Sequence, residues 1–113
     1  MKAILYERSS TTSSFAEDAM RGRQAMLADY AKKAGIEIVE TCVDVGYLGS
    51  TMGRPGLQAA LRSIREGKAD AILLYDRDRL NKGVLLKELQ NIPLIVIDEE
   101  RQRHNREAET HEL

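Results

Sequence analysis

The sequence lacks the features of a secreted, membrane-bound or metal-stapled protein. Cys42 is the only cysteine in 113 residues, so no internal disulfide can form. No signal peptide opens the chain and no apolar run could span a bilayer, so we expect a cytoplasmic protein without a membrane partner. His104 and His111 have no cysteine near them, and the sequence therefore predicts no metal site.

The chain also lacks an excess of positive charge. Its 17 Lys and Arg residues are balanced by 18 Asp and Glu residues, for a formal net charge of −1. Because non-specific affinity for duplex DNA comes largely from neutralised phosphates, this balance disfavours strong free-standing DNA binding, although it is compatible with a local basic site. With 42% hydrophobic and 31% charged residues, the composition is typical of one globular domain.

Short apolar runs alternate with helix-period stripes along the chain. The runs predict four strands, at residues 3–6, 36–43, 69–75 and 94–97. The stripes predict a helix over about 15–34, a second helix opened by Pro55, and a short third helix through Leu85, Leu86 and Leu89. This alternation predicts an α/β fold of three layers, in which helices flank a mostly parallel sheet of about four strands.

The composition changes after the last predicted strand. Residues 98–113 are rich in charge and carry no apolar stripe, which predicts a polar tail or a solvated helix end. We therefore predict one domain over residues 1–97, a charged tail over 98–113, and no DNA-binding domain in this chain.

Three short runs place an arginine where a strand pattern ends or a helix pattern begins. They are Tyr6-Glu7-Arg8-Ser9-Ser10, Arg54-Pro55-Gly56-Leu57 and Asp78-Arg79-Leu80. Functional groups of parallel α/β sheets gather at the carboxyl ends of the strands, so these runs should meet. Guanidinium groups bind phosphate oxygens in a bidentate manner and keep their charge, and they can stabilise charge that develops during phosphoryl transfer. A serine among them indicates metal-free cleavage of a phosphodiester.

Two adjacent serines compete for the role of nucleophile. Side chains alternate along a strand, so Tyr6, Arg8 and Ser10 share one face while Glu7 and Ser9 share the other. Because the nucleophile should lie on the face of the arginine, this alternation selects Ser10.

Taken together, in order and spacing over about residues 2–82, the three runs resemble the catalytic domain of serine recombinases, the resolvase/invertase family. The resemblance implies that Ser10 is the nucleophile and that Arg8, Arg54 and Arg79 bind the scissile phosphate. It implies that Asp78 orients an arginine or assists proton transfer. It also places Lys82 at the phosphate, where the family commonly has an arginine.

The resemblance implies an enzyme of DNA recombination and integration, of the kind found in mobile elements, that cleaves and rejoins DNA through a 5′-phosphoserine intermediate. No cofactor is implied. The implied partners are DNA and either further copies of the chain, a dimer that becomes a tetramer when active, or a full-length recombinase. The alternative is a non-catalytic, resolvase-like interaction or regulatory module, which Lys82 and the near-neutral charge favour. Asp44, in Asp-x-Gly, is open to interpretation as a plain turn former.

Overall fold

A computed structural model describes residues 1–80 and 89–112, and within these ranges it describes the side chains of 1–80 and 89–106. Strands and helices alternate through this part of the chain, as the sequence predicts. The elements are β1 (Lys2–Ser9), α1 (Ser14–Ala34), β2 (Glu37–Val45), α2 (Pro55–Arg65), β3 (Ala71–Leu74), α3 (Arg77–Leu80), β4 (Leu94–Val96) and α4 (Ile97–Glu112).

The four strands form one parallel sheet in the order β2-β1-β3-β4. β1 is therefore central, and its carboxyl end lies between those of β2 and β3. The register pairs Arg8 with Asp44 on the neighbouring strand. This arrangement confirms the predicted mostly parallel sheet flanked by helices.

Local sequence explains where α1 begins and ends and where α2 begins. The side chain of Ser13 caps α1 by accepting a hydrogen bond from the backbone N–H of Ala16 at 3.1 Å. Gly35 ends the helix in the left-handed region, at φ 72°, which glycine adopts without strain. Pro55 occupies the first turn of α2, where its missing N–H would have no intrahelical partner.

Two separate cores lie on the two faces of the sheet. Ile4 and Tyr6 of β1 face α2, together with its buried residue Leu57. Leu5, on the opposite face, packs with Leu27 of α1. The alternation along β1 therefore sends Arg8 toward the α2 side and Glu7 toward the α1 side.

The end of the chain differs in detail from the prediction. β4 ends at Val96, and Ile97 is a buried residue that begins α4 rather than ending the strand. The segment predicted as a tail continues as this helix, and its side chains from Arg101 to Arg106 are exposed, because they include no apolar stripe. The domain boundary at residue 97 remains a prediction, and the predicted helix through Leu85 and Leu86 lies outside the described residues.

None of the helices that can be described is long and apolar enough to cross a membrane.

Candidate active site

Arg8 lies at the carboxyl end of β1 and is almost fully buried, with 2% of its surface exposed. Its guanidinium group reaches α3, where Nε donates to the carbonyl oxygen of Arg79 at 3.1 Å and Nη2 donates to that of Asp78 at 2.6 Å. Nη1 donates to the carbonyl oxygen of Tyr47 at 2.9 Å and to Ser10 Oγ at 2.7 Å. One side chain thus joins the serine to α3 and to the loop that follows β2, at the same edge of the sheet.

Arg8 lies close to two other cationic side chains. Burial lowers its pKa from the ordinary arginine value, and the nearby charges of Arg54 and Arg79 lower it further, while the charge of Asp78 acts in the opposite direction. The three arginines predicted to form the site are therefore close enough to interact. A site of this charge attracts anions such as a phosphate.

The two candidate serines have different environments. Ser10 is exposed, and its hydroxyl accepts the hydrogen bond from Arg8. Ser9 is buried, and its hydroxyl is engaged by Thr11, donating to the carbonyl oxygen at 2.8 Å and accepting from the N–H at 3.3 Å. The structure thus places Ser10 next to the predicted arginine and uses Ser9 to stabilise the local turn.

Arg54 is completely buried, at 0% exposure, immediately before α2. Its Nη1 donates to the carbonyl oxygen of Arg79 at 3.2 Å, the same oxygen that Arg8 binds, and its Nη2 donates to that of Leu80. Its Nε donates to the carbonyl oxygen of Thr51 at 2.7 Å. Most of the hydrogen bonds that Arg8 and Arg54 donate therefore go to backbone carbonyls, and together they hold residues 78–80 in place.

Arg79 is the most exposed of the three arginines, since 26% of its side chain is accessible against 2% and 0% for the residues Arg8 and Arg54. Its Nη1 donates to the carbonyl oxygen of Arg8 at 3.2 Å, and its Nε lies 3.3 Å from Asp76 Oδ1. Asp76 also starts the single turn of α3, because its Oδ1 accepts the N–H of Arg79 at 3.2 Å. Arg79 is thus the arginine that an incoming anion reaches first.

Asp78 and Lys82 complete the predicted set. Asp78 is exposed, and its hydrogen bond to the site is made by its backbone carbonyl oxygen rather than by its carboxylate. Its carboxylate acts on Arg8 only through its charge. Lys82 lies outside the described residues.

Asp44 has a larger role than the turn former considered from the sequence. Its side chain is buried, and it accepts hydrogen bonds from the N–H of Gly56 at 2.7 Å and from that of Leu57 at 2.9 Å. These are N–H groups of the first turn of α2, which Arg54 does not cap with its own side chain. Asp44 of β2 therefore caps a helix that begins eleven positions later in the chain, and fixes the start of that helix beside the site.

Tyr6 connects this cap to the arginines. Its hydroxyl donates to Asp44 Oδ2 at 2.7 Å and accepts from Arg54 Nη1 at 3.3 Å, while the guanidinium of Arg54 lies 5.8 Å from the ring centroid. Burial and the hydrogen bond to Asp44 raise the pKa of Tyr6 well above its ordinary value, so the hydroxyl stays protonated. The sequence signal for this network is the tyrosine two residues before Arg8, on the same face of β1.

An acidic cleft borders the site on the side of α4. Its volume is about 360 Å³, and its charged lining consists of one guanidinium, that of Arg77, and four carboxylates, those of Asp76, Asp78, Asp98 and Glu99. A phosphate would be repelled there, so the approach to Arg79 that favours an anion is from the side of Ser10.

Comparisons with known proteins agree with this fold. The family model described as "Resolvase, N terminal domain" matches residues 3–109. The N-terminal catalytic domain of TP901-1 integrase is 28% identical, with a TM-score of 0.72 over 88% of this chain and 78% of that one. A serine recombinase from Sulfolobus solfataricus is 26% identical, with a TM-score of 0.66 over 91% of this chain and 76% of that one.

The highest of these fold similarities is to a more distant protein. The C-terminal catalytic domain of ISC1926 TnpA, an IS607-like serine recombinase, has a TM-score of 0.74 at 20% identity, over 92% of this chain and 77% of that one. At that identity the similarity concerns the fold alone, and the fold it shares is the parallel sheet that brings Arg8, Arg54 and Arg79 together.

Proposed function

This chain belongs to the resolvase N-terminal domain family, a family of site-specific recombinases, and from that premise we propose that Ser10 is the nucleophile with which it cleaves and rejoins DNA. In the proposed reaction, Ser10 Oγ forms a bond to phosphorus and the bond from phosphorus to the 3′-oxygen breaks. The products are a 5′-phosphoserine and a 3′-hydroxyl, which later reverses the attack. The phosphoserine bond conserves the energy of the broken backbone, so no high-energy cofactor is required.

The observation that carries this proposal is the 2.7 Å hydrogen bond from Arg8 Nη1 to Ser10 Oγ. A guanidinium held beside the hydroxyl favours the negative charge that develops on the oxygen as its proton leaves. Ser10 is exposed, so DNA can reach it and its proton can leave to solvent. The charge of Asp78, which acts on Arg8, is proposed to help orient that guanidinium.

The arginines take different parts in this proposal. Arg79 would contact the scissile phosphate first, because its side chain is the most accessible of the three. Arg8 and Arg54 would bind the phosphate only after exchanging a carbonyl partner in residues 78–80 for a phosphate oxygen. Residues 78–80 and the serine would therefore adjust together when DNA binds. Lys82 is proposed as a further phosphate contact.

DNA is the partner that the family implies. With a net charge of −1, one chain offers few phosphate contacts. We therefore propose that stable engagement of a DNA site requires further copies of this chain, as a dimer or an active tetramer, or a full-length recombinase.

One observation favours the second candidate function, a non-catalytic interaction or regulatory module. The guanidinium groups of Arg8 and Arg54 are already occupied by backbone carbonyls. If these contacts persist when DNA is present, the two arginines serve only to stabilise the fold.

The test is covalent capture. The chain, fused to a sequence-specific DNA-binding domain, is incubated with a nicked duplex from which the broken strand diffuses away, so that cleavage cannot reverse. We expect a protein–DNA adduct whose DNA is attached to Ser10, as located by mass spectrometry. Ser10→Ala should abolish the adduct, and the matched control Ser9→Ala should retain most of it.

A persistent adduct in Ser10→Ala would overturn the assignment of the nucleophile. Lys82→Arg provides a second arm, since it restores the planar fork that suits a phosphate. We expect it to raise the yield about tenfold, the effect of one good charge-assisted contact. If neither the wild type nor Lys82→Arg forms an adduct, the non-catalytic function is supported instead.

A further inference from the structure

A second charged cluster lies on the face of β1 opposite Arg8. The side chain of Glu7 is fully buried there, and its Oε2 accepts a hydrogen bond from Nε of Arg23, on α1, at 2.8 Å. The other carboxylate oxygen, Oε1, has no hydrogen-bond partner among the described residues. A buried carboxylate with one unpaired oxygen is unfavourable for stability, so its presence calls for another explanation.

The second unpaired atom belongs to Arg79. Within the part of the chain that the structure describes, Glu7 Oε1 and Arg79 Nε are the two buried side-chain polar atoms that lack a hydrogen bond. Glu7 Oε1 has no donor, whereas Arg79 Nε forms an ion pair with Asp76 Oδ1 at 3.3 Å that is not a hydrogen bond. Their side chains also interact, because the charge of Arg79 lowers the pKa of Glu7 against the larger upward effect of burial.

The backbone brings these two residues together. Arg79 Nη1 donates to the carbonyl oxygen of Arg8, the residue that follows Glu7 on β1. The buried Nε of Arg79 lies 3.3 Å from the carboxylate of Asp76, whose side chain is 29% accessible. Water screens the charge of Asp76 more effectively than that of the buried Glu7. Arg79 thus lies in the field of two carboxylates, and the buried one is the less screened.

We propose that Glu7 is a positioning residue for Arg79: its buried carboxylate, held by Arg23, keeps the Arg79 guanidinium at the end of β1 and determines how readily it turns to a scissile phosphate. This inference rests on the proposed function, since it assigns Arg79 to the phosphate. When Arg79 engages DNA, Arg23 remains as the partner of Glu7, so the carboxylate is not left without a counter-charge.

The first test requires neither DNA nor catalysis. The Nε–Hε resonances of Arg79 and Arg54 are followed by NMR in the full chain, with Arg54 as the internal reference because its Nε is bound to the carbonyl oxygen of Thr51. Glu7→Gln removes the charge and keeps the size and an acceptor for Arg23. We expect faster hydrogen exchange and a shifted resonance at Arg79, and little change at Arg54.

Arg23→Gln provides a second variant if Glu7→Gln does not fold. It removes the charge and the hydrogen bond that lower the pKa of the buried Glu7, so the protonated form of Glu7 is favoured, and exchange at Arg79 Nε should become faster, as in Glu7→Gln. An unchanged Arg79 resonance in both variants, or equal changes at Arg79 and Arg54, would overturn the inference.

The second test separates rate from affinity in the covalent capture assay. Glu7→Gln should slow adduct formation about tenfold, as for one misplaced charge-assisted contact, while the half-saturating DNA concentration stays the same or falls. In an Arg79→Lys background the same substitution should have little further effect. An equal loss of rate in both backgrounds would indicate that Glu7 has a merely structural role and would overturn the inference. Absence of any adduct from the wild type would contradict the proposed function instead, and the NMR result would still test the inference.

Discussion

The two faces of β1 differ in how completely their polar side chains are paired. On the face that packs against α2, every buried side-chain nitrogen and oxygen of Tyr6 and Arg8 makes a hydrogen bond. On the opposite face, one carboxylate oxygen of Glu7 has no hydrogen-bond partner among the described residues. The residues that join Tyr6 and Arg8, which are Asp44 and Arg54, are equally well paired. A fully paired polar network favours one arrangement, because any movement leaves a buried group unsatisfied. An incompletely paired one permits an exchange of partners.

This difference suits the two proposed tasks. In the absence of DNA, the α2 side fixes the start of a helix, the serine and residues 78–80 relative to one another. The α1 side lies next to Arg79, the arginine that has to move toward a phosphate. Four tests probe the comparison through the free energy of unfolding, measured by urea denaturation.

The largest effect is expected at Asp44. Asp44→Ala removes the acceptor of three hydrogen bonds, two of them buried and one partly buried. It should lower the free energy of unfolding by about 3 kcal/mol or more, since each buried donor left without a partner costs about 1–3 kcal/mol. Asp44→Asn keeps one acceptor oxygen and should cost less. A loss below about 1 kcal/mol for Asp44→Ala would show that the polar network on the α2 side of β1 is not held more rigidly than the cluster around Glu7 on the α1 side.

Gly56 tests how rigidly the Asp44 carboxylate is held. A Cβ at this position would lie 2.9 Å from Asp44 Oδ2 and 3.0 Å from Oδ1, and the carboxylate cannot move without losing its hydrogen bonds. Gly56→Ala should therefore destabilise the protein by about 1–3 kcal/mol. The matched control is Gly22→Ala in α1, where a Cβ meets no atom within 4 Å. That substitution should stabilise the protein by about 0.5–1 kcal/mol, and similar effects at both positions would contradict the argument.

Glu7 should give a smaller effect that depends on pH. Burial raises the pKa of Glu7 in the folded protein. Between the unfolded value, about 4.3, and this higher folded value, the folded state binds more protons than the unfolded chain. The free energy of unfolding contributed by Glu7 therefore falls as the pH rises through that interval.

Glu7→Gln removes this dependence. As the pH rises above the pKa of an ordinary glutamate, the free energy of unfolding of the variant should increase relative to that of the wild type. At neutral pH the variant should be as stable as the wild type or up to about 1 kcal/mol more stable. Parallel pH profiles of the two proteins would show that Glu7 has the same pKa in the folded and unfolded states, and that its partners in the folded protein compensate for its burial.

The smallest effect is expected for the exposed ion pair that joins α3 to α4. Arg77 binds Glu99 through two nitrogens, and the two side chains are 62% and 49% accessible. A double-mutant cycle of Arg77→Gln with Glu99→Gln should give a coupling below about 1 kcal/mol that weakens with added salt. A larger coupling that does not depend on salt would place this surface pair in the same class as the buried clusters of β1.

The sequence alone was sufficient for four parallel strands, for α1 and α2, and for the gathering of three arginines at one edge of the sheet. Those features depend on side-chain periodicity and on the rule that the ends of parallel strands share an edge. The preference for Ser10 over Ser9 also needed only the alternation along β1. The structure agrees, since Arg8 contacts Ser10 while Ser9 bonds to Thr11.

What the sequence did not predict depends on contacts between residues that are far apart in the chain. The cap that Asp44 provides for α2 requires the register of β2 beside β1, and local sequence contains no sign of it. The saturation of Arg8 and Arg54 by carbonyls of residues 78–80 likewise follows from the packing of α3 against β1. Periodicity determines which face a side chain takes, but only the assembled sheet and its helices decide which distant group it meets there.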